Sequence, residues 1–413
     1  MKSAMTFVVA LLAGVSVATA NDHGKGITID GRLNCPYISH NGGTVYLQIS
    51  ITAPAIETPH RRPMNLSVVL DRSGSMADEG KIEYAKRALF TLIDQLQPDD
   101  IFSLVIYDDV IDVLRQAHRV RDKGALRHLI DEVYPRGATN LGGGMMEGLR
   151  QVERNLDKEY VNRVILLSDG LANRGITDRH ELERVARRYR AKSISLTTMG
   201  VGLDYNENLM VGLAKSGGGN YYFIESPQGL ASIFHREFNM LSSVVAQNAR
   251  IELTLGRGVR LLDAIGCEHR KDRNEYTIPI GDLYSGDRRE LTLEMEVPEG
   301  SGTLTVAKGE LRYDGKRGWF ESWPSFSPTV RYTRMLAEVD KNRDLETQAK
   351  ADIALSTRKV ERAMQALDEG RREEAAKELK AAEASLVASP AVSVGGTAGA
   401  ALQDQRAKLQ SYQ

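Results

Sequence analysis

The sequence has little cysteine, few aromatic residues and almost no net charge. Its 413 residues include two cysteines, 6% aromatic residues and a formal net charge of −1. Two cysteines without a Cys-x-x-Cys motif exclude a thiolate-rich metal or redox site. A near-neutral chain lacks the positive charge that neutralises phosphates, so we expect no nucleic-acid partner.

Long hydrophobic runs are also absent, except for one at the N-terminus. Lys2 precedes a short apolar run from Met5 to Val17, which ends in the small residues Ala18-Thr19-Ala20. This order is typical of a secretory signal peptide, and the run is shorter than the roughly 20 apolar residues of a membrane anchor. We therefore predict that residues 1–20 are a signal peptide cleaved near Ala20. The mature chain is then secreted, periplasmic or at the cell surface, with no transmembrane segment.

Residues 64–245 alternate between strand and helix patterns. Short apolar strands at Leu66–Leu70 and Val164–Leu167 are separated by segments with apolar residues three and four apart, as in Ile82–Leu96. This alternation predicts an α/β domain with a doubly wound, mostly parallel sheet and helices on both faces.

The flanking segments show the period of two that is typical of half-buried strands. Apolar residues alternate with polar ones around Val45–Ile51 and Leu291–Val297. We expect residues 26–56 and 246–335 to form one antiparallel β-sandwich module into which the α/β domain is inserted. This would bring Cys35 and Cys267 close enough for a disulfide, and two free thiols are the alternative.

The C-terminal part predicts helices and then disorder. Residues 342–388 are rich in Ala, Glu, Lys, Arg and Leu, and Gly370 interrupts two apolar stripes, which indicates a helical hairpin. The Ala/Gly/Ser-rich stretch at 389–413 predicts a disordered tail.

Oxygen-bearing side chains follow the ends of the predicted strands, where ligands bind in open α/β sheets. Asp71, Ser73 and Ser75 follow the first strand, Thr139 lies in a glycine-rich loop, and Asp169 follows the strand Val164–Leu167. Such donors suit Mg²⁺, or Mn²⁺ or Ca²⁺, better than Zn²⁺. Two carboxylates balance a dication, which then has a position left for an outside carboxylate. The alternative is that Asp71 and Ser73 only cap the next helix.

The pattern Asp71-x-Ser73-x-Ser75, followed by Thr139 and Asp169, resembles the metal-ion-dependent adhesion site of von Willebrand factor type A and integrin inserted domains. The resemblance implies a Rossmann-like domain in which Ser73, Ser75 and Thr139 contact the metal directly. Asp71 and Asp169 then coordinate it directly or through water. It also implies an adhesion-type module without catalytic residues, whose protein partner presents an Asp or Glu. The flanking modules are similar to bacterial secreted proteins that carry this domain.

Other functions remain open at this point. One is a structural scaffold of an envelope complex in which the metal only orders the loops. Another is a metal-dependent phosphohydrolase, although Ser73 stands where aspartyl-phosphate enzymes carry a second Asp. Gly80-Lys81 does not fit a phosphate loop because Ile82 replaces the required Ser or Thr. Asp108 or Asp109 is a candidate ligand for an auxiliary Ca²⁺. No pattern indicates an oligomeric state.

Overall fold

A computed structural model describes residues 26–55, 61–170, 172–202, 205–314, 323–393 and 397–410. The proposed signal peptide at 1–20 lies outside the described residues. Among the helices within these ranges, none is both long enough and apolar enough to span a membrane.

The α/β part begins after three N-terminal strands. Those strands are β1 (Thr28–Leu33), β2 (Tyr37–Ser39) and β3 (Gly43–Thr52). The strands of the α/β part are β4 (Met64–Asp71), β5 (Ile101–Tyr107), β6 (Ile111–Arg119), β7 (Val161–Ser168), β8 (Ser195–Val201) and β9 (Gly218–Ile224). Its helices are α1 (Lys81–Gln95), α2 (Lys123–Asp131), α3 (Leu141–Glu153), α4 (Arg179–Arg190), α5 (Glu207–Gly217) and α6 (Leu230–Ser242).

These strands form one six-stranded sheet in the order β6-β5-β4-β7-β8-β9. All neighbours are parallel except β5 and β6, which are antiparallel. Helices α1, α2 and α6 share a core with one face, and α3, α4 and α5 share a core with the other. The doubly wound, mostly parallel architecture is therefore confirmed, and β4, β5, β7 and β8 are buried along their whole length.

Most of the remaining strands form a β-sandwich together with β1 and β3. The remaining strands are β10 (Val244–Leu255), β11 (Arg260–Ile265), β12 (Arg270–Asp272), β13 (Glu275–Tyr284), β14 (Arg288–Val297), β15 (Thr303–Thr305), β16 (Ala307–Asp314), β17 (Ser325–Phe326) and β18 (Thr329–Thr333). A four-stranded sheet has the order β1-β3-β14-β11, and a five-stranded sheet has the order β12-β13-β10-β16-β17. Both sheets contribute to one apolar core, while β15, β18 and β2 form a small third sheet.

The α/β domain is inserted in this sandwich, as the sequence predicts. Strand β3 precedes the domain and β14 follows it, yet they pair antiparallel from Gly43↔Val297 to Thr52↔Arg288. A buried ion pair joins the two parts, because Arg163 on β7 donates to Asp282 Oδ2 on β13 at 2.7 Å.

The expected disulfide is absent. Cys35 and Cys267 are both free thiols. Cys35 follows β1 and Cys267 follows β11, and these strands are the opposite edges of the four-stranded sheet. Three strand spacings of about 4.8 Å exceed the Cα separation of roughly 4.4–6.8 Å that a disulfide allows. The prediction of a shared module was right, but it did not fix which strand edges the cysteines occupy.

Four helices complete the described chain: α7 (Leu336–Lys341), α8 (Leu345–Asp368), α9 (Arg372–Val387) and α10 (Thr397–Gln410). Helices α8 and α9 form the predicted hairpin, and Gly370 between them has the left-handed φ of 78°. The hairpin contacts the four-stranded sheet through ion pairs such as Lys350–Glu290 at 2.9 Å.

The prediction of a disordered tail at 389–413 is wrong for Thr397–Gln410, which forms α10. Its alanines favour helix. Leu402 and Leu409 lie seven residues apart on one face and are buried in the apolar core of the hairpin. Burial of these two leucines gives the helix the tertiary packing that its composition does not reveal.

Candidate metal centre

The predicted ligands lie at the carboxyl end of the six-stranded sheet. Asp71 is the last residue of β4, and Asp169 directly follows β7. Because β4 and β7 are parallel neighbours, their carboxyl ends lie side by side. Thr139 lies in the loop that leads into α3. The fold thus brings the three loops to one edge, as expected for a site in an open α/β sheet.

Asp71 is held by donors from three different elements. Its Oδ1 accepts the Ser73 amide at 2.8 Å, and its Oδ2 accepts the hydroxyls of Ser168 at 2.7 Å and Tyr107 at 3.3 Å. The side chain has no exposed surface. Burial raises the pKa of Asp71 to about 6, even though the hydrogen bonds from Ser168 and Ser73 act in the opposite direction. The protein donors alone therefore do not fully compensate the buried negative charge.

The two serines connect the first loop to Asp169. Ser73 Oγ and Ser75 Oγ lie 3.2 Å apart, and Ser75 Oγ donates to Asp169 Oδ1 at 2.8 Å. Ser73 precedes the 3₁₀ segment Gly74–Gly80, but its side chain makes no capping hydrogen bond there. Helix capping therefore does not account for the Ser73 hydroxyl, and the capping alternative is not supported at this position.

Thr139 is positioned by its backbone. Its amide donates to Asn173 Oδ1 at 2.9 Å, and its carbonyl accepts the amides of Asn173 and Arg174. The cap of α3 is the neighbouring Asn140, whose side chain accepts the Gly143 amide, so capping does not engage the Thr139 hydroxyl. A Cβ placed on Gly170 would meet Thr139 Oγ1 at 3.4 Å and Ser75 Oγ at 3.5 Å. The hydroxyls of Thr139 and Ser75, which belong to two different loops, therefore converge beside Gly170.

Glycines in α3 explain how the Thr139 loop comes so close to the sheet. A Cβ on Gly144 would lie 2.6 Å from the Tyr107 ring, and one on Gly148 would lie 2.2 Å from Val69 Cγ2. No side chain fits at these contacts without movement of the sheet residues. The glycine-rich sequence thus permits close packing of α3 on β4 and β5.

One buried charge near the site was not recognised as functional from sequence. Lys81 Nζ lies 2.8 Å from Asp169 Oδ2, and Lys81 is only 5% exposed. Lys81 is the first residue of α1, where the helix dipole disfavours a cation. This unfavourable placement six residues after Ser75 is the sequence signal that could have identified it. The roles of Ser168 and Tyr107 depend on tertiary contacts and leave no such signal.

An ionic cluster clamps the loops together. Asp108 Oδ2 forms an ion pair with Arg72, whose Nε lies 2.9 Å away, and accepts a hydrogen bond from Arg136 Nε at 2.7 Å; Asp108 is 1% exposed. Two backbone bonds run alongside, from the Arg136 amide to the Arg72 carbonyl and from the Gly74 amide to the Gly137 carbonyl. Burial acts to raise the pKa of Asp108, but bonds from Arg136 and Val110 and the charge of Arg72 lower it overall.

This cluster is not an auxiliary calcium site. The Asp108 carboxylate is already engaged by two arginines. Within the described ranges, no group of three or more His, Cys, Asp or Glu residues is placed to hold a metal. The candidate site at Asp71 and Asp169 differs from such clusters because hydroxyls supply most of its donors, and these hard oxygens fit Mg²⁺.

Comparison with known proteins identifies the family of the α/β part. The model of the von Willebrand factor type A domain matches residues 65–236. Residues 65–236 form a von Willebrand factor type A domain. The bounds of the match enclose β4 to α6 almost completely, together with all five candidate ligands.

Several relatives share this domain. An uncharacterized protein of Synechocystis, sll0103, is 27% identical over 280 residues, which cover 65% of this chain and 66% of that protein. The uncharacterized protein YfbK of Escherichia coli is 27% identical over 273 residues, which cover 65% of this chain and 47% of that protein. The pig inter-alpha-trypsin inhibitor heavy chain H1 is 28% identical over 154 residues. The chain therefore spans about half to just under two thirds of the two bacterial relatives.

Solved structures share the fold beyond the type A domain. A von Willebrand factor type A protein from Catenulispora acidiphila has a TM-score of 0.71 at 16% identity, covering 95% of this chain and 91% of that one. The ArnB paralog VWA2 from Sulfolobus acidocaldarius has a TM-score of 0.59 at 17% identity, covering 93% and 98%. At these identities the likeness shows the fold alone. The combination of type A domain, sandwich and helices is therefore an architecture found in other proteins.

Proposed function

We propose that this chain is an exported, non-catalytic binding protein whose type A domain holds a divalent cation. The ligands are Ser73, Ser75 and Thr139 directly, with Asp71 and Asp169 directly or through water. The cation then captures the carboxylate of an Asp or Glu on a protein partner. The metal supplies electrostatic attraction for that carboxylate, and the chain's own loops orient it.

The observation that carries this proposal is the convergence of three hydroxyls and two buried carboxylates from three loops. Ser73, Ser75 and Asp169 are connected by short oxygen–oxygen contacts, and Thr139 joins them beside Gly170. The Ser73 side chain makes no capping hydrogen bond, and the cap of α3 is Asn140 rather than Thr139. A cation would compensate the buried charge of Asp71, whose raised pKa reports incomplete compensation by the protein alone.

The donor chemistry supports Mg²⁺ as the resident ion, with Mn²⁺ and Ca²⁺ as close substitutes, because all the proposed ligands are hard oxygens. Hydroxyl ligands are neutral, so they leave the ion's charge available to an outside anion. A protein carboxylate is the simplest such anion outside the cytoplasm. Export itself rests on residues 1–20, whose pattern is that of a signal peptide.

A phosphohydrolase is less well supported by the same contacts. Asp71 has no exposed surface and both of its oxygens accept hydrogen bonds, so it is not presented as a nucleophile. Domains of this family are typically interaction modules rather than enzymes. A scaffold role has one observation in its favour, which is the set of ion pairs that join the helical hairpin to the sandwich. In that case partner binding survives removal of the metal.

Titration calorimetry with MgCl₂ tests the metal half of the proposal. The full mature chain should bind one ion, and Asp71→Ala should not. Asp94→Ala is a matched control, because Asp94 is an exposed carboxylate on α1 that pairs with Arg127.

Partner capture from an envelope extract, with Mg²⁺ or with a chelator, tests the proposed binding of a protein partner. Loss of capture in chelator supports metal-bridged binding, and retained capture supports the scaffold role.

A further inference from the structure

We propose that Lys81 is a built-in counter-ion that makes metal binding and carboxylate binding at this site depend on each other. The proposal rests on the proposed function and extends it. It assigns to Lys81 the positive charge that an external anion neutralises once the metal is bound. Lys81 is a positioning and charge-setting residue, and it is not a metal ligand.

The contacts place Lys81 within the site rather than at its edge. Its Nζ lies 2.8 Å from Asp169 Oδ2, while Ser75 Oγ occupies Asp169 Oδ1. Lys81 is 5% exposed and Asp169 has no exposed surface, so solvent screens this ion pair weakly. Each oxygen of Asp169 therefore has one protein partner, and one of the two partners carries a full positive charge.

The end of β8 also contacts this lysine. A Cβ on Gly202 would come within 3.5 Å of Lys81 Cε and 3.6 Å of Nζ, so the end of the side chain lies against Gly202. Gly202 follows β8 with a left-handed φ of 81°. The helix does not favour a cation at its first residue. Contacts with Asp169 and Gly202, at the ends of β7 and β8, therefore hold Lys81 in place, whereas its position in α1 does not favour a cation.

The net charge of the site shows how Lys81 affects metal binding. With Asp71 and Asp169 ionised, two carboxylates and the Lys81 ammonium give the metal-free site one net negative charge. A bound dication changes this to one net positive charge in a buried setting, and an external carboxylate returns it to neutrality. Without Lys81, the dication alone would neutralise the two carboxylates. Lys81 therefore weakens binding of the metal by itself and couples it to binding of an anion, and such coupling is reciprocal.

The test compares Lys81→Met with the wild type by titration calorimetry with MgCl₂, in sodium acetate or in sodium chloride of equal ionic strength. In chloride, Lys81→Met should bind Mg²⁺ at least about fivefold more tightly than the wild type. Acetate should tighten Mg²⁺ binding by the wild type and have little effect on Lys81→Met. Equal or weaker Mg²⁺ binding by Lys81→Met would overturn the proposal.

Two further variants serve as controls for the effect of Lys81→Met. Lys81→Arg keeps the charge and should retain the acetate effect. Lys86→Met removes a buried lysine from the same helix, but Lys86 pairs with Glu83 and the Asp131 carbonyl and should leave Mg²⁺ affinity unchanged. Thermal unfolding gives a readout independent of calorimetry, because Mg²⁺ should raise the Tm of Lys81→Met more than that of the wild type.

The outcomes also separate this proposal from the function on which it rests. If the wild type and Asp71→Ala show the same Mg²⁺ behaviour, the metal assignment itself fails. If the wild type binds Mg²⁺, Asp71→Ala does not, and Lys81→Met binds like the wild type, only the role of Lys81 is wrong.

Discussion

The Ser75 hydroxyl donates a 2.8 Å hydrogen bond to Asp169 Oδ1, which joins two loops that are 94 residues apart in the sequence. Asp71 is likewise fixed by Ser73 and Ser168. The candidate ligands are therefore ordered by protein contacts alone. Such preorganisation reduces the conformational entropy that metal binding must overcome.

Replacement of Asp71 should separate metal binding from folding. We expect Asp71→Ala to abolish tight Mg²⁺ binding while the Tm in chelator stays close to the wild-type value, because Asp71 is buried with its charge incompletely compensated. Differential scanning fluorimetry with and without MgCl₂ measures both effects. A Mg²⁺-dependent rise in Tm equal to that of the wild type would contradict the assignment of Asp71.

The Thr139 hydroxyl should matter more than its methyl group. Thr139→Ala should weaken Mg²⁺ binding by about tenfold, which corresponds to about 1.4 kcal/mol, and should weaken partner capture with it. Thr139→Ser is the matched control because it keeps the oxygen, and it should remain close to the wild type. Equal dissociation constants for the Ala and Ser variants would exclude a ligand role for this hydroxyl.

The Asp108 cluster should hold the Thr139 loop against the Asp71 loop. Asp108→Asn removes the charge of one of the two carboxylates that pair with the buried Arg72, and Asp112 remains as the other, so we expect a loss of about 2 kcal/mol in unfolding free energy. Hydrogen exchange should increase at residues 136–140, where the backbone bonds to the first loop lie. The exposed pair of Asp94 with Arg127 is the control, and Asp94→Asn should cost at most about 1 kcal/mol. Unchanged exchange at 136–140 in Asp108→Asn would show that the cluster does not clamp the loop.

Both cysteines should be reduced even in protein recovered from an oxidising compartment. Alkylation of denatured, unreduced protein followed by mass spectrometry should label Cys35 and Cys267 alike. In the native protein the labelling should be slow, because burial raises the pKa of both thiols. An unlabelled pair whose mass is lower by two hydrogens would show that the sheet edges lie closer than described.

The sequence predicts the parts of the fold that depend on strong local patterns. Strand β4 and helix α1 carry uninterrupted apolar periodicity, and both are found within a few residues of the expected positions. Strand β6 was missed because it is a polar edge strand in which only Ala117 is buried. Helix α10 was missed because its Ala/Gly composition hides the two leucines that dock it on the hairpin.

For the site, the sequence predicts which side-chain oxygens can lie close together, but it does not predict which cationic side chain pairs with their carboxylates. The five candidate residues follow from motif order and from the rule that places ligands at the carboxyl ends of strands. The charge count made from the sequence sets two carboxylates against one dication and does not include Lys81. The contact of Lys81 with Asp169 spans 88 residues and forms only when β4 and β7 pair. For the same reason the sequence offers Asp108 as a candidate metal ligand, although in the fold two arginines pair with its carboxylate.

The most direct test of the central claim is the anomalous difference density of a crystal grown with MnCl₂. The account predicts one strong peak bounded by the hydroxyls of Ser73, Ser75 and Thr139, on the side of Asp71 and Asp169. A manganese peak elsewhere, or no peak at this position at millimolar MnCl₂, would contradict it.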